Sequence, residues 1–85
     1  MWFIDERGLG AQLRAERRQT GVTQQELARR AGISRRTLIS IEAGQPGDTG
    51  KVLAVVRALG LRVRLEPAST APFGLSDLDD ETEEP

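Results

Sequence analysis

The sequence contains no cysteine and no histidine, and only three of its 85 residues are aromatic. Without cysteine, disulfide scaffolds, thiolate nucleophiles and sulfur-bound metals are excluded. Without histidine, the commonest nitrogen ligand and general base is missing as well. A chain of this length forms one small domain, which rarely encloses the pocket of about 300–1,000 Å³ that small-molecule sites use. Composition therefore predicts that the chain is not an enzyme and holds no metal or cofactor.

Long apolar runs are also missing, because the longest span only a few residues and a membrane helix needs about 20. The start, Met-Trp-Phe-Ile-Asp-Glu-Arg, lacks the cationic segment followed by an apolar stretch that marks a secretory signal. We therefore expect a cytoplasmic protein with no membrane partner. The lack of cysteine fits a reducing compartment.

Charge is distributed unevenly along the chain. The formal net charge is −1, but residues 1–66 hold all 12 Lys and Arg against 7 Asp and Glu, a net +5, whereas residues 67–85 hold 6 acids and no base. The acidic stretch has only Phe73, Leu75 and Leu78 as large apolar groups, too few to offset its ordering entropy. We predict a domain over 1–66 and a disordered acidic tail over 67–85.

Four segments of the body have the apolar periodicity and end signals of helices. Thr23 followed by Glu26 predicts a reciprocal capping box, Ser34 is a second N-cap candidate, and Asp48 or Thr49 caps the last helix. The predicted spans are 9–20, 23–31 with Thr23 as its cap, 35–43 and 51–59.

Residues 61–66 then alternate apolar and charged side chains, the pattern of a half-buried strand. A lone strand cannot satisfy its own backbone groups, and the only other strand-like segment, Trp2-Phe3-Ile4, is short. We therefore predict homodimerisation by pairing with the same strand of a second copy across a two-fold axis. The residues assigned to this contact are Leu61, Val63 and Leu65. Whether Trp2-Phe3-Ile4 packs on its own subunit, its mate or a partner stays open.

The second and third helices, joined by a turn at Gly32, match the helix-turn-helix plan, in which the second helix of the pair enters the major groove. Arg35 and Arg36 begin the third helix, where a cation opposes the helix dipole. A helix placed there for stability alone prefers an acid. Arginine can instead donate to two acceptors of guanine, so the pattern favours base reading.

Other polar residues near this helix pair are candidates for further DNA contacts. Thr37 and Ser40 can reach base edges or phosphate, and Gln24 begins the second helix, whose free N–H groups favour a phosphate. Arg17 and Glu42 lie near the ends of elements that pack together, so we predict a partly buried ion pair between them. The predicted DNA-binding set is Thr23, Gln24, Ser34, Arg35, Arg36, Thr37, Ser40, Gln45 and Lys51.

Residues 9–60 resemble the Xre/Cro-type helix-turn-helix family of bacterial and phage regulators. The resemblance rests on Thr23-Gln24-Gln25-Glu26-Leu27-Ala28, Ala31-Gly32-Ile33-Ser34, Thr37-Leu38 and Ile41-Glu42-Ala43-Gly44. It implies a mainly α, lambda-repressor-like bundle of four or five helices that binds double-stranded operator DNA as a dimer. In phage repressors of this type the positions matching Arg35, Arg36 and Ser40 read bases. The position matching Gln24 contacts phosphate, and those matching Arg17 and Glu42 form an internal ion pair.

The loop after the third helix departs from this family pattern. The family often carries Asn where this chain has Ala43, and basic residues where it has Gln45, Pro46, Gly47 and Asp48. These differences weaken the phosphate contacts expected of the loop, and Lys51 is the candidate substitute.

Residues 58–67 add a narrower resemblance, to HipB-type antitoxins, the partners of HipA-family Ser/Thr kinase toxins. It implies a repressor that represses its own operon and neutralises a HipA-like toxin by binding it. Two alternatives stay open: a phage-like or restriction-controller regulator without a toxin, and a protein-interaction inhibitor that does not bind DNA. The tail has three readings: a solubilising end, a partner-binding segment anchored by Phe73, Leu75 and Leu78, and an electrostatic competitor of DNA.

Overall fold

The computed structural model describes residues 5–67. This region contains four helices: α1 (Glu6–Thr20), α2 (Gln24–Ala31), α3 (Arg35–Glu42) and α4 (Thr49–Ala58). Helix α2 packs against both α3 and α4, and α1 packs against α3. The fold is therefore mainly α, with α2 and α3 at its centre. No helix of the described region is long and apolar enough to cross a membrane.

Each helix begins at a side chain that accepts hydrogen bonds from its first turn. Asp5 accepts from the Gly8 N–H at 2.9 Å, so α1 begins at Glu6, three residues earlier than the apolar pattern predicts. Asp48 accepts from the N–H groups of Gly50 and Lys51, so α4 begins at Thr49 and not at Lys51. Polar caps, and not the first apolar residue, therefore set where these helices start.

The predicted capping box at α2 is only half formed. Thr23 Oγ1 accepts from the Glu26 N–H at 3.1 Å, as expected. The Glu26 carboxylate does not return to the cap, because it accepts from the side chains of Arg29 and Arg30 instead. Two guanidinium donors on the same helix face outcompete a single backbone N–H for this carboxylate.

The core is small and aliphatic, and it draws on all four helices. Its centre is formed by Leu27, Leu38 and Val55, none of which is exposed to solvent. Burial of this apolar surface is the main favourable contribution to the stability of the domain. The complete buried cluster is Leu13, Leu27, Ala28, Leu38, Ile41, Val55 and Val56.

Residues 61–67 form neither helix nor strand in the single chain, so the predicted strand is not seen there. Their side chains are exposed, Leu65 by 90%. The physical reason is that a strand needs a partner for its backbone groups, and none of the described residues supplies one. The strand and its pairing remain predictions. Those made for Trp2-Phe3-Ile4 and for Phe73, Leu75 and Leu78 lie outside the described residues.

Helix α1 approaches α3 closely at Gly10, which is buried. A Cβ at this position would overlap the carbonyl oxygen of Ile41 and lie 2.9 Å from that of Glu42. These atoms belong to the backbone, so they cannot rotate out of the way. Because Gly10 has no Cβ, α1 can pack directly against the backbone of the last turn of α3.

We expect Gly10→Ala to destabilise the protein. Alanine gains about 1 kcal/mol in helix propensity, but overpacking against a backbone costs about 1–3 kcal/mol, so the clash wins. Urea unfolding followed by circular dichroism measures the difference. Gly47→Ala is the matched control, since its Cβ would have only the Gln45 oxygen nearby, at 4.0 Å. Equal stability of the two variants would contradict the close approach.

Candidate nucleic-acid interface

Helices α2 and α3 are joined by a turn of three residues, Gly32, Ile33 and Ser34. Gly32 has a φ of 75°, in the left-handed region that favours glycine, and its N–H donates to the Arg29 carbonyl. The Ile33 N–H donates to the Ala28 carbonyl at 3.0 Å. These bonds end α2 and turn the chain within one residue, which places the start of α3 beside the end of α2.

The outer face of α3 is cationic at its start. Arg35 and Arg36 are exposed, whereas Leu38, Ile41 and Glu42 on the opposite face are buried. The first turn of α3 contains no acid, so no neighbouring carboxylate in that turn offsets these two charges. Two guanidinium groups therefore project from the end of a helix whose other face is anchored in the core.

The cap of α3 fixes the geometry of this first turn. Ser34 Oγ accepts from the Thr37 N–H at 3.0 Å and donates to Thr37 Oγ1 at 2.8 Å. The single proton of the Ser34 hydroxyl is therefore used within the turn. The Thr37 hydroxyl keeps its own proton free to donate, and is the better placed of the two for a ligand.

Five of the predicted DNA-binding residues line one cleft between α3 and the loop that leads to α4. The cleft has a volume of about 300 Å³ and includes the side of α3 that carries Arg36. Asp48 also lines it, and its carboxylate already occupies the N–H groups at the start of α4. The start of α4 is thus closed to an anion, and the cations of the cleft are left for that role. The five residues are Arg36, Thr37, Ser40, Gln45 and Lys51.

The structure brings Arg17 and Glu42 together as a buried ion pair. Arg17 Nε donates to Glu42 Oε2 at 2.7 Å, and Arg17 Nη2 donates to Glu42 Oε1 at 3.3 Å. Arg17 Nη1 also donates to the Val22 carbonyl at 3.0 Å. The two residues are only 9% and 7% exposed. Such a fork-shaped pair fixes the orientation of both partners as well as their distance.

Gln24, which is half-buried, also contacts this ion pair, and sequence reasoning missed the contact. Its Nε2 donates to Glu42 Oε1 at 3.1 Å, so the side chain points inward to Glu42. Its second N–H and its carbonyl oxygen are left for other partners. Because Gln24 and Glu42 are 18 residues apart, no local pattern in the sequence signals the contact. The group links α1, α2 and α3 through one carboxylate.

A second set of charges lies on the exposed side of α2. Glu26 accepts from Arg29 at 2.5 Å and from Arg30 at 2.9 Å. The hydrogen bonds from Arg29 and then Arg30 lower the pKa of Glu26 to about 2. The carboxylate therefore stays ionised at any physiological pH and partly neutralises both arginines. The guanidinium groups of α3 are freer to meet an external anion than those of α2.

A tight glycine turn between two short helices, the second of which exposes a basic first turn, defines the helix-turn-helix class of DNA-binding domain. Comparison with known protein families gives the same class. The chain belongs to the helix-turn-helix domain family, whose model matches residues 8–68.

Two curated relatives are HTH-type transcriptional regulators by name, both described as uncharacterized. One, y4mF of Sinorhizobium fredii, is 39% identical over 56 residues, covering 65% of this chain and 74% of the relative. The other, from Methanothermobacter thermautotrophicus, is 42% identical over 50 residues, covering 56% of this chain and 71% of the relative. The chain thus falls in the class to which such regulators belong.

Solved structures share the same fold. A chain of the HipA-HipB-O2-O3 complex matches with a TM-score of 0.75 over 80% of this chain and 97% of that chain, at 23% identity, which establishes the fold. A chain described as MDT Protein matches equally well at 25% identity, again over 80% of this chain and 97% of that chain. The clp gene regulator ClgR from Corynebacterium glutamicum matches with a TM-score of 0.60 and 30% identity, over 89% of this chain and 69% of that chain.

We expect Glu42→Gln to lower the free energy of unfolding by about 3–5 kcal/mol, because it leaves the Arg17 cation buried without its counter-charge. The double variant Arg17→Met/Glu42→Leu removes both charges and is expected to recover most of that loss. Urea unfolding measures both. Glu16→Gln, which removes a charge from α1 outside this group, is the control. A Glu42→Gln protein as stable as the control would contradict the buried pair.

Proposed function

We propose that this protein is a homodimeric transcriptional repressor that binds a palindromic DNA operator through α3. We also propose that it is the antitoxin of a HipA-type kinase operon, which it represses while it neutralises the toxin by direct binding. The observation that carries the first part is the exposed, acid-free first turn of α3, with Arg35 and Arg36 free of intramolecular partners among the described residues.

Base reading is assigned to α3. A free arginine can donate two hydrogen bonds to O6 and N7 of guanine, which discriminates against the other bases by about 1–3 kcal/mol. Thr37 and Ser40 lie beside Arg36 in the same cleft, so they are assigned to base edges or to the sugar-phosphate backbone. The opposite face of α3 is buried in the core, which fixes the positions of these side chains relative to the rest of the domain.

Phosphate contacts are assigned to the elements that flank α3. Lys51 and Gln45 line the cleft beside it, and Lys51 stands in for the basic loop residues that the family often has. Gln24 and Thr23 lie at the start of α2, where the helix dipole favours an anion. The remaining amide N–H of Gln24 donates to phosphate while the other holds Glu42.

Dimerisation is assigned to residues 61–66. Their apolar side chains are exposed in the single chain, Leu61 by 37% and Val63 by 47%. Arg64 Nε lies 2.9 Å from Glu66 Oε2, so these charged residues, two apart, share one side as they do in an extended chain. Pairing with the same segment of a second copy supplies the missing backbone partners and covers the apolar side.

The DNA-binding part is tested by selecting bound duplexes from a random pool at near-physiological salt. We expect a palindrome whose half-sites lie about 34 Å apart. Arg35→Ala and Arg36→Ala should each weaken binding to the selected duplex by about 1–3 kcal/mol and change binding to random DNA far less.

Arg14→Ala, which removes an exposed arginine from α1, is the matched control. An equal loss on selected and random DNA would reassign the α3 arginines to phosphate neutralisation. Failure to select any sequence would favour the protein-interaction inhibitor that does not bind DNA.

Two observations support the antitoxin role. The segment 58–67 resembles the end of HipB-type antitoxins, with a last helix that leads into one alternating stretch and a polar tail. The described fold also matches a chain of the HipA-HipB-O2-O3 complex over 97% of that chain. The phage-like or restriction-controller alternative shares the DNA-binding features but not the first of these two.

The antitoxin role is tested at the operon. We expect a gene for a HipA-family kinase beside the gene for this protein, and growth arrest by that kinase should be relieved when the two are co-expressed. Arg35→Ala/Arg36→Ala is the informative control, because it should lose operator binding and still relieve the arrest. The absence of such a neighbouring gene, or no relief, would leave a stand-alone regulator.

A further inference from the structure

Ile39 is an apolar residue on the cationic face of α3. Its side chain is 43% exposed, whereas its neighbour Leu38 is fully buried and Ile41 is 7% exposed. The core therefore does not account for Ile39. None of the reading or phosphate roles assigned above accounts for it either, since it can neither donate nor accept a hydrogen bond.

Helical geometry places Ile39 between the two arginines. At about 100° per residue, it lies about 40° from Arg35 and about 60° from Arg36 around the helix axis. Along the axis it lies about 6 Å beyond Arg35, or one turn deeper into α3. Any surface that receives Arg35 and Arg36 also receives Ile39.

The side chain is also preorganised. A β-branched residue in a helix has one strongly preferred χ1 rotamer, so isoleucine loses little freedom when it becomes ordered at an interface. A leucine or methionine at the same position would lose more. Ile39 thus presents a nearly fixed apolar surface to whatever α3 meets.

The flanking charges decide between DNA and protein as the partner. A protein surface that covered Ile39 would also have to desolvate Arg35 and Arg36, which have no acid in their helical turn. The major groove accepts cations because phosphates line it, and it displays a single kind of apolar group, the C5 methyl of thymine. The other exposed apolar residues, including Leu53, lie on elements without this pair of arginines.

We propose that Ile39 contacts the C5 methyl of a thymine and so selects A·T at one position of each half-site. The inference rests on the proposed operator binding and extends it from guanine reading to a mixed half-site. An offset of about 6 Å from Arg35 corresponds to about two base-pair steps of 3.4 Å. The thymine is therefore one to three base pairs from the guanine that Arg35 reads.

The test uses duplexes that differ by one methyl group. In the selected duplex, each thymine is replaced in turn by uracil, symmetrically in both half-sites, which leaves every hydrogen-bonding group unchanged. We expect one replacement within the stated interval to weaken binding of the wild-type dimer about four-fold per half-site, the value of one buried methyl group. Fluorescence anisotropy measures the affinity.

Protein variants test the same methyl contact from the side of Ile39. Ile39→Ala should bind the thymine and uracil duplexes equally, and Ile39→Val should keep most of the preference for thymine. Leu53→Ala, an equal truncation on α4, should leave the thymine-to-uracil ratio of the wild type unchanged. Circular dichroism and sedimentation confirm that each variant keeps its fold and its dimeric state.

The possible failures are distinguishable. If a duplex is selected but the thymine-to-uracil ratio is the same in wild type and Ile39→Ala, the methyl contact is wrong and operator binding stands. If Ile39→Ala instead weakens both duplexes equally and dissociates the dimer, Ile39 belongs to a protein contact and the proposal is overturned. If no sequence is selected at all, the operator binding on which it rests fails as well.

Discussion

One carboxylate, that of Glu42, holds the three helices of the DNA-binding face in position. It accepts from Arg17 on α1 and from Gln24 on α2, and it belongs to the last turn of α3. A charge buried this deeply is stable only while its partners remain in place. The angle between α2 and α3 is therefore set by hydrogen bonds of fixed direction as well as by aliphatic packing, which by itself is nondirectional.

Helices α2 and α3 differ in how far neighbouring acids neutralise their exposed arginines. On α2, the Glu26 carboxylate pairs with the guanidinium groups of both Arg29 and Arg30, so the two arginines carry a net charge of about +1 instead of +2. On α3, Arg35 and Arg36 have no such acid in their turn. Net charge alone does not reveal this difference, because it counts both pairs of arginines equally. What matters for an anionic ligand is which cations lack an internal partner.

The sequence predicted the helices and the turn at Gly32, because caps, glycines and periodicity are local signals. The Arg17–Glu42 pair spans 25 residues and was expected on other grounds, the packing of the elements that carry it and the resemblance to the family. It placed the starts of α1 and α4 two or three residues late, since the apolar pattern begins after the cap that controls the helix. Gln24's bond to Glu42 and the close approach at Gly10 could not be read from the sequence, because both depend on how distant segments pack. The partner of residues 61–66 is a property of the assembly and not of one chain.

The two faces of α3 have no residue in common, and this separation bears on how such a protein changes over time. The buried face carries Leu38, Ile41 and Glu42, which the rest of the domain needs, whereas the outer face carries residues that the fold can exchange. Substitutions on the outer face can therefore accumulate with little loss of stability. A duplicated gene could acquire a new target sequence through a few such changes while its four-helix scaffold stayed the same.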